Sequence, residues 1–458
     1  MPVPTASLMS QEEKNAFWKA ADNKLIRYGG SWANVIVERA QGTAMWDSDG
    51  NKILDFTSGQ MSSLLGHGHP EIVQVVSNYM ANLDHIFSAM VTKPNVDLAL
   101  ALSSLLPPGL DRCMFLSTGS ETNECALKLA KMYTGGHEVV SLSASYHGMT
   151  HGAGAATFSV GRKGYGPQLP GNFVLPVPYA YRSPFRHPDG SYDWKSELDY
   201  GWDLIDRQST GALACVIIEP IISTGGIITL PPGYLKEMKS HCERRGMVLI
   251  IDEAQTGMGR TGDMFAFEHE GVIPDILTLS KTLGAGLPLG ATICTQEIES
   301  VCHEKGFFYY TTHLNDPLVC AVGAKVCEIV VRDNLVGEAK RKGKLLEEGL
   351  KNLQKKYPCI GDVRGRGLMM GIEIVLDPIT KIPGDELGTS ISARCMETGL
   401  SCNVVQLKGM GGTFRIAPPL TITDEEISEG IAIMDAAFDW ALKEAGMKEI
   451  VNGQKVIP

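Results

Sequence analysis

The chain has 458 residues, with 41 Lys+Arg against 52 Asp+Glu and a net charge of −11. That balance opposes a general nucleic-acid role, because binding phosphate needs a basic face. No apolar run reaches the ~18 residues of a membrane span, and eleven cysteines without a Cys-x-x-Cys pair read as reduced, buried thiols rather than a disulfide framework. The polar start, with Gln11, Glu12 and Glu13 in a row, lacks the basic-then-apolar order of a signal peptide, so a cytoplasmic setting is expected.

Taken in chain order, residues 117–133 read as a helix opened by a capping box, Thr118-x-x-Glu121. Residues 212–222, 247–252 and 276–280 are short, dense apolar runs, and 231–245 is a plausible helix between two of them. That alternation predicts a mostly parallel sheet buried on both faces. Past residue 335 the pattern changes. Val336, Ala339, Gly343, Leu346, Leu350, Leu353 and Tyr357 recur every three or four residues. This predicts a core-facing helix rather than a coiled coil, because the repeat is short and carries a glycine at the seam. Residues 359–366 and 368–374 suggest a turn and a strand, and 423–442 a last helix. We therefore expect a segment 1–70 that contributes to a small domain, a large domain over 71–334, and a smaller α+β domain over 335–458.

Asp252 ends an apolar strand, and open α/β sheets bind ligands at that carboxyl end. Lys281 ends the next apolar run and precedes Gly284-Ala285-Gly286. Singly, each has a plain explanation: a strand-end acid is usually a cap, and a lysine is usually exposed. Together they fit pyridoxal phosphate chemistry, in which a lysine holds the cofactor covalently and a carboxylate keeps its ring nitrogen protonated. Gln255 is placed to reach the phenolic oxygen. Thr118, Gly119 and Ser120 open a helix and supply phosphate donors, and Tyr146, beside His147, offers a ring to stack. Gly257-x-Gly259-x-x-Gly262 matches a dinucleotide pattern. It lies several residues past its strand and opens no clear helix, so that reading is rejected.

The motifs STGSE-x-N at 117–123, YHG at 146–148, EP at 219–220, DE-x-Q-TG-x-GRTG from 252 and SK at 280–281 together resemble the class III aminotransferases, from about Asn51 to Leu442. The resemblance implies an α/β fold of fold-type I, with a mostly parallel seven-stranded sheet and a smaller α+β domain. It also implies a homodimer, or a homotetramer, with the site at a subunit interface. Thr118, Gly119, Ser120, Tyr146, His147, Glu219, Asp252, Gln255 and Lys281 would then hold the cofactor, and Thr312 would serve the phosphate of the neighbouring subunit.

Four segments, LDFTSGQMSSLLGHGHP at 54–70, YYTTHLNDP at 309–317, IGDVRGRG at 360–367 and VQLKGMGGTFRIAPP at 405–419, resemble the dialkylglycine decarboxylase branch of that family. This implies decarboxylation coupled to transamination. A 2,2-dialkylglycine such as 2-aminoisobutyrate would give a ketone and CO2, and a keto acid such as pyruvate would take the amino group. Gln60 would stand beside the leaving carboxylate, Arg415 would clamp a substrate carboxylate, and Met149 and Thr224 would contact substrate. Ile86, Ser88, Thr312, Leu314 and Asp316 would hold potassium through oxygen donors with a single charge. Tyr146 departs from the tryptophan of that branch. The alternative is ordinary transamination of an amine or ω-amino acid without decarboxylation. A zinc site at His67-x-His69 has no supporting cysteine or carboxylate cluster and is rejected.

Overall fold

In the computed structural model, residues 8–28, 32–406 and 412–445 are described. The three apolar runs become adjacent strands, Leu213–Ile218, Val248–Asp252 and Ile276–Leu279, buried at every residue but Leu213. Branched apolar side chains on both faces suit a strand covered from both sides. The three pair in parallel, with Ile250 opposite Ile217 on one side and Ile276 on the other. Glu138–Leu142 and Asn172–Leu175 continue the parallel run. At the other edge lie Gly290–Thr295 and then Leu110–Leu116, and Gly290–Thr295 is antiparallel to both its neighbours. These seven strands form one mostly parallel sheet. This is the mostly parallel seven-stranded sheet that the resemblance implies. The expected helices appear as Gly119–Thr134, capped by Thr118, and Tyr234–Arg244.

The strands Val37–Gln41, Ala44–Asp47 and Lys52–Asp55 form an antiparallel set, and Leu400–Ser401 joins its last strand in parallel. The N-terminal segment is thereby tied to the C-terminal one. A separate antiparallel sheet runs Ile360–Arg366, Met369–Ile374, Gly412–Ile416, Asn403–Gln406. The helices Leu335–Lys356, Asp385–Glu397 and Asp424–Glu444 pack against it or one another. Of the motif at 405–419, residues 407–411 lie outside the described residues, as does the start of the chain before Leu8. All eleven cysteines are free, and all but Cys113 are buried. Among the described residues no helix is long and apolar enough to cross a membrane.

The helix Leu335–Lys356 buries Ala339, Gly343, Leu346, Leu350 and Leu353, the face its spacing predicts. Gly343 is there for space. A Cβ at this position would lie 2.5 Å from the backbone of Gly367, and Gly367 itself is wedged against the backbone of Thr261. Gly262, at φ +89°, likewise lies against Lys340 of this helix. The glycine-rich turn after Asp252 is thus a packing surface for the helix, and no helix opens on it.

Gly343→Ala tests this packing. In a free helix the change would stabilise by about 1 kcal/mol. Overpacking against unyielding backbone costs up to about 3 kcal/mol, so we expect a lower melting temperature. A rise in calorimetry would contradict the close approach.

Candidate active site

Parallel pairing sets Asp252 opposite Thr278, three residues before Lys281. Two neighbouring strand ends therefore bring Asp252 and Lys281 to one side of the sheet, where both line a cavity of about 1590 Å³. The first turn of Gly119–Thr134 reaches the same cavity with Thr118, Gly119 and Ser120, and Tyr146, His147 and Glu219 also line it. Gln60 comes from the N-terminal segment and Arg415 from the strand Gly412–Ile416; Thr224 and Gln255 complete the expected group.

The Asp252 side chain is buried, and its carboxylate is held by three donors. Oδ2 accepts from His147 Nδ1 at 2.9 Å and Asn123 Nδ2 at 2.8 Å, and Oδ1 accepts the Ala254 amide at 3.0 Å. Burial alone would raise this carboxyl, but the His147 bond and charge, with the two amides, hold it below the ordinary carboxylate range. Each carboxylate oxygen can take two donors, so Oδ1 keeps a place for a ring N–H. Asn123 is the residue sequence reading passes over. It closes the STGSE-x-N motif, donates also to the His147 carbonyl at 2.7 Å and accepts from Thr278 at 2.7 Å. Its position in the motif was the only signal for it.

Lys281 begins a short 3₁₀ turn with φ 28°, a left-handed value that a lysine adopts only under constraint. Burial lowers its ammonium; Asp252 and Glu219 oppose that shift and Arg415 adds to it. The amine is therefore free at lower pH than on a surface lysine. Gln255 Oε1 accepts from Ser223 Oγ at 2.7 Å, which leaves the Gln255 NH₂ as the end for a phenolic oxygen. Ser223 gave no sequence signal beyond its place next to Thr224.

The residues present fit pyridoxal phosphate. Thr118 Oγ1 takes the Glu121 amide, and the Glu121 carboxylate takes those of Ser117 and Thr118. The Gly119 and Ser120 amides are left at the cavity wall, an N-terminal pair suited to a phosphate. A Cβ on Gly119 would meet Ser280 Oγ at 2.7 Å, so only glycine lets the turn sit this close to the strand that carries Lys281.

Some expected residues lie elsewhere. Met149, expected to contact substrate, is half exposed and is not among the residues lining the cavity of this chain. Its amide donates to Ser120 Oγ at 3.1 Å, and its methyl end lies over Gly161. Thr312 is exposed and outside the cavity of its own chain. Of the oxygen donors expected for potassium, Ile86 and Ser88 are half-buried, and Leu314 packs on a core cluster. Both Asp316 oxygens are engaged, Oδ1 with His85 Nδ1 at 2.6 Å and Oδ2 with His313 Nδ1 at 2.5 Å. Each oxygen has one imidazole partner and keeps a second lone pair for a cation. His67 pairs with Asp55 at 2.8 Å, which accounts for it without a metal.

Comparison with known proteins bears on the site as a whole. A family model described as aminotransferase class-III matches residues 28–438. The chain is 55% identical over 428 residues to an uncharacterised aminotransferase of Schizosaccharomyces pombe, covering 93% of this chain and 96% of that one. It is 32% identical to a probable 4-aminobutyrate aminotransferase of Bacillus subtilis, over 96% of this chain and all of that one. Among solved structures, a Bacillus anthracis aminotransferase superposes with a TM-score of 0.87 at 30% identity, covering 94% of this chain and 100% of that one. A taurine:2-oxoglutarate aminotransferase of Bifidobacterium kashiwanohense, solved with PLP and glutamate, gives a TM-score of 0.86 at 26% identity, covering 95% and 99%.

Glu219 generates a prediction. Burial pushes its carboxyl up to about 7, against the His147 charge and the amides of Tyr146 and Ser223. A carboxyl raised in the fold stabilises it fully below the unfolded value of about 4.3 and loses that effect as pH rises through the folded value. Above about 7, Glu219 is an anion acting on Arg415. Binding of a carboxylate ligand should therefore weaken as pH rises through 7, and Glu219→Gln should flatten the dependence. An unchanged pH profile in that variant, by calorimetric titration, would remove this role.

Proposed function

The chain belongs to the class III aminotransferases, and on that premise we propose that it transfers an amino group from an amine or ω-amino acid to a keto acid. The observation that carries this is one cavity holding Lys281, Asp252 and Arg415. Bound pyridoxal phosphate supplies a carbonyl carbon that takes up the amino group and a ring that draws electrons from the bond being broken. Lys281 would hold it, Asp252 would keep its ring nitrogen protonated, Tyr146 would cover the ring, and the Gly119 and Ser120 amides would take its phosphate.

The chain's own residues then divide the work. The lysine amine, free at lower pH than usual through burial, would be the base that takes up and returns a substrate proton at Nζ. Arg415 is anchored by Asn403 Oδ1, which accepts from Nε at 3.1 Å and Nη2 at 2.9 Å. Its Nη1 makes neither of these bonds and is suited to a substrate carboxylate.

A second reading is favoured by Gln60, which lines the same cavity. A neutral amide can hold a carboxylate without the charge pairing that would oppose its loss as CO2. On this reading the donor is a 2,2-dialkylglycine. Either reading takes the working unit as a homodimer or dimer of dimers, with exposed Thr312 offered to a neighbouring subunit, and keeps potassium beside Asp316.

Purified enzyme with pyruvate and a panel of donors separates the readings. We expect amino transfer from amines or ω-amino acids with no CO2. Release of CO2 from 2-aminoisobutyrate, equal to the acetone formed, would overturn that and select decarboxylation. Running each reaction in potassium and in lithium salts tests the ion; we expect faster turnover in potassium, and equal rates would leave Asp316 as a loop brace.

A further inference from the structure

Gln60 sits in a turn that no chain adopts without support. Ser58 has φ 40°, Gly59 φ 67° and Met61 φ 60°, and left-handed values at non-glycine residues persist only where surroundings impose them. Asp55 imposes part of the shape: its Oδ1 accepts the Thr57 amide at 3.0 Å and the Thr57 hydroxyl at 2.6 Å, and its Oδ2 accepts the Gly59 amide at 2.6 Å. Ser58 supplies the rest. Its hydroxyl donates to the Ala417 carbonyl at 2.7 Å and accepts from Arg260 Nη2 at 3.2 Å.

This bond joins the two substrate-reading segments. Ser58 is two residues before Gln60, and Ala417 is two residues after Arg415. The Ala417 amide donates to the Phe56 carbonyl at 2.7 Å, and the Leu420 amide to the Leu64 carbonyl at 2.9 Å. Arg260, fully buried in the turn that follows the cofactor aspartate, is a common pin for three segments. Its Nη1 donates to the carbonyls of Leu368, at 3.2 Å, and Pro418, and its Nη2 to Ser58. A planar guanidinium fixes several acceptors in set directions, which a lysine ammonium does not.

We infer that Ser58 and Arg260 are positioning residues that set the spacing between Gln60 and Arg415, and through it how tightly a substrate carboxylate is held. Neither lines the cavity. The inference rests on the reading of Arg415 as the carboxylate clamp. It places the effect in carboxylate binding and leaves the proton transfer at Lys281 unchanged.

The test uses cofactor-loaded enzyme with Ser58→Ala, Arg260→Lys and, as a control, Arg415→Gln. Three quantities are read: the calorimetric Kd of propionate, the KM and kcat for pyruvate against propanal, and the melting temperature. We expect Ser58→Ala and Arg260→Lys to weaken propionate and raise the pyruvate KM about five- to tenfold, the effect of losing one or two buried hydrogen bonds. The propanal KM and kcat should stay near wild type. Should Arg260→Lys fail to fold, Ser58→Ala, which deletes a single oxygen, carries the test alone. Loss of propionate binding in Arg415→Gln with none in Ser58→Ala overturns the inference and leaves the clamp. Equal weakening of pyruvate and propanal with a fall in melting temperature also overturns it, as a merely structural effect. Unchanged propionate binding in Arg415→Gln overturns the clamp itself.

Discussion

Asp252 is an anion almost cut off from water, and a buried carboxylate is costly unless donors hold it. Its donors come from separate parts of the chain: the loop carrying His147, the helix carrying Asn123 and the amide of Ala254. Thr278, on the next strand, holds Asn123 in turn. The charge can exist only if the strands Val248–Asp252 and Ile276–Leu279 are in register and the helix Gly119–Thr134 is seated on them. The same register delivers Lys281 to the cavity. Stability of the sheet and electronic tuning of the cofactor site are therefore one requirement.

A division of labour follows from the topology. On the proposed reading, the seven-stranded sheet would supply the cofactor side: the base, the acid partner and the phosphate turn. The substrate side would come from outside it, Gln60 from the N-terminal segment and Arg415 from the antiparallel sheet near the C-terminus. The glycine-rich turn behind Asp252 meets both. Its glycines let the helix Leu335–Lys356 approach, and its arginine reaches the carbonyls of Leu368 and Pro418. Chemistry that is general to amino transfer would then sit on the sheet. Groups proposed to read the substrate sit on segments joined to it by polar bonds such as those of Arg260.

Much of this was legible in the sequence because its signals are local. Three apolar runs marked the central strands, the 3.6-residue period marked Leu335–Lys356, and Thr118-x-x-Glu121 marked the helix start at the phosphate turn. Lys281 stood out only in combination with Asp252 at the end of the preceding strand. What escaped reading is held by long-range contacts. Asn123, Ser223, Ser58 and Arg260 are ordinary polar residues with partners tens to hundreds of positions away, so no spacing rule finds them. Met149 follows residues that line the cavity, while its amide bonds Ser120 and its methyl end lies at Gly161. Asp316 is bonded by His85 and His313, sequence neighbours of the positions that resemblance singled out, and neither was expected.

The central claim is that Lys281 is the residue that carries pyridoxal phosphate beside Asp252. Borohydride reduction of the loaded protein, followed by peptide mass spectrometry, tests it most directly. The account predicts a phosphopyridoxyl group on Lys281 alone, at one per chain, and none at that position after Lys281→Ala. A label on another lysine, or spread over surface lysines with Lys281 unmodified, would contradict it.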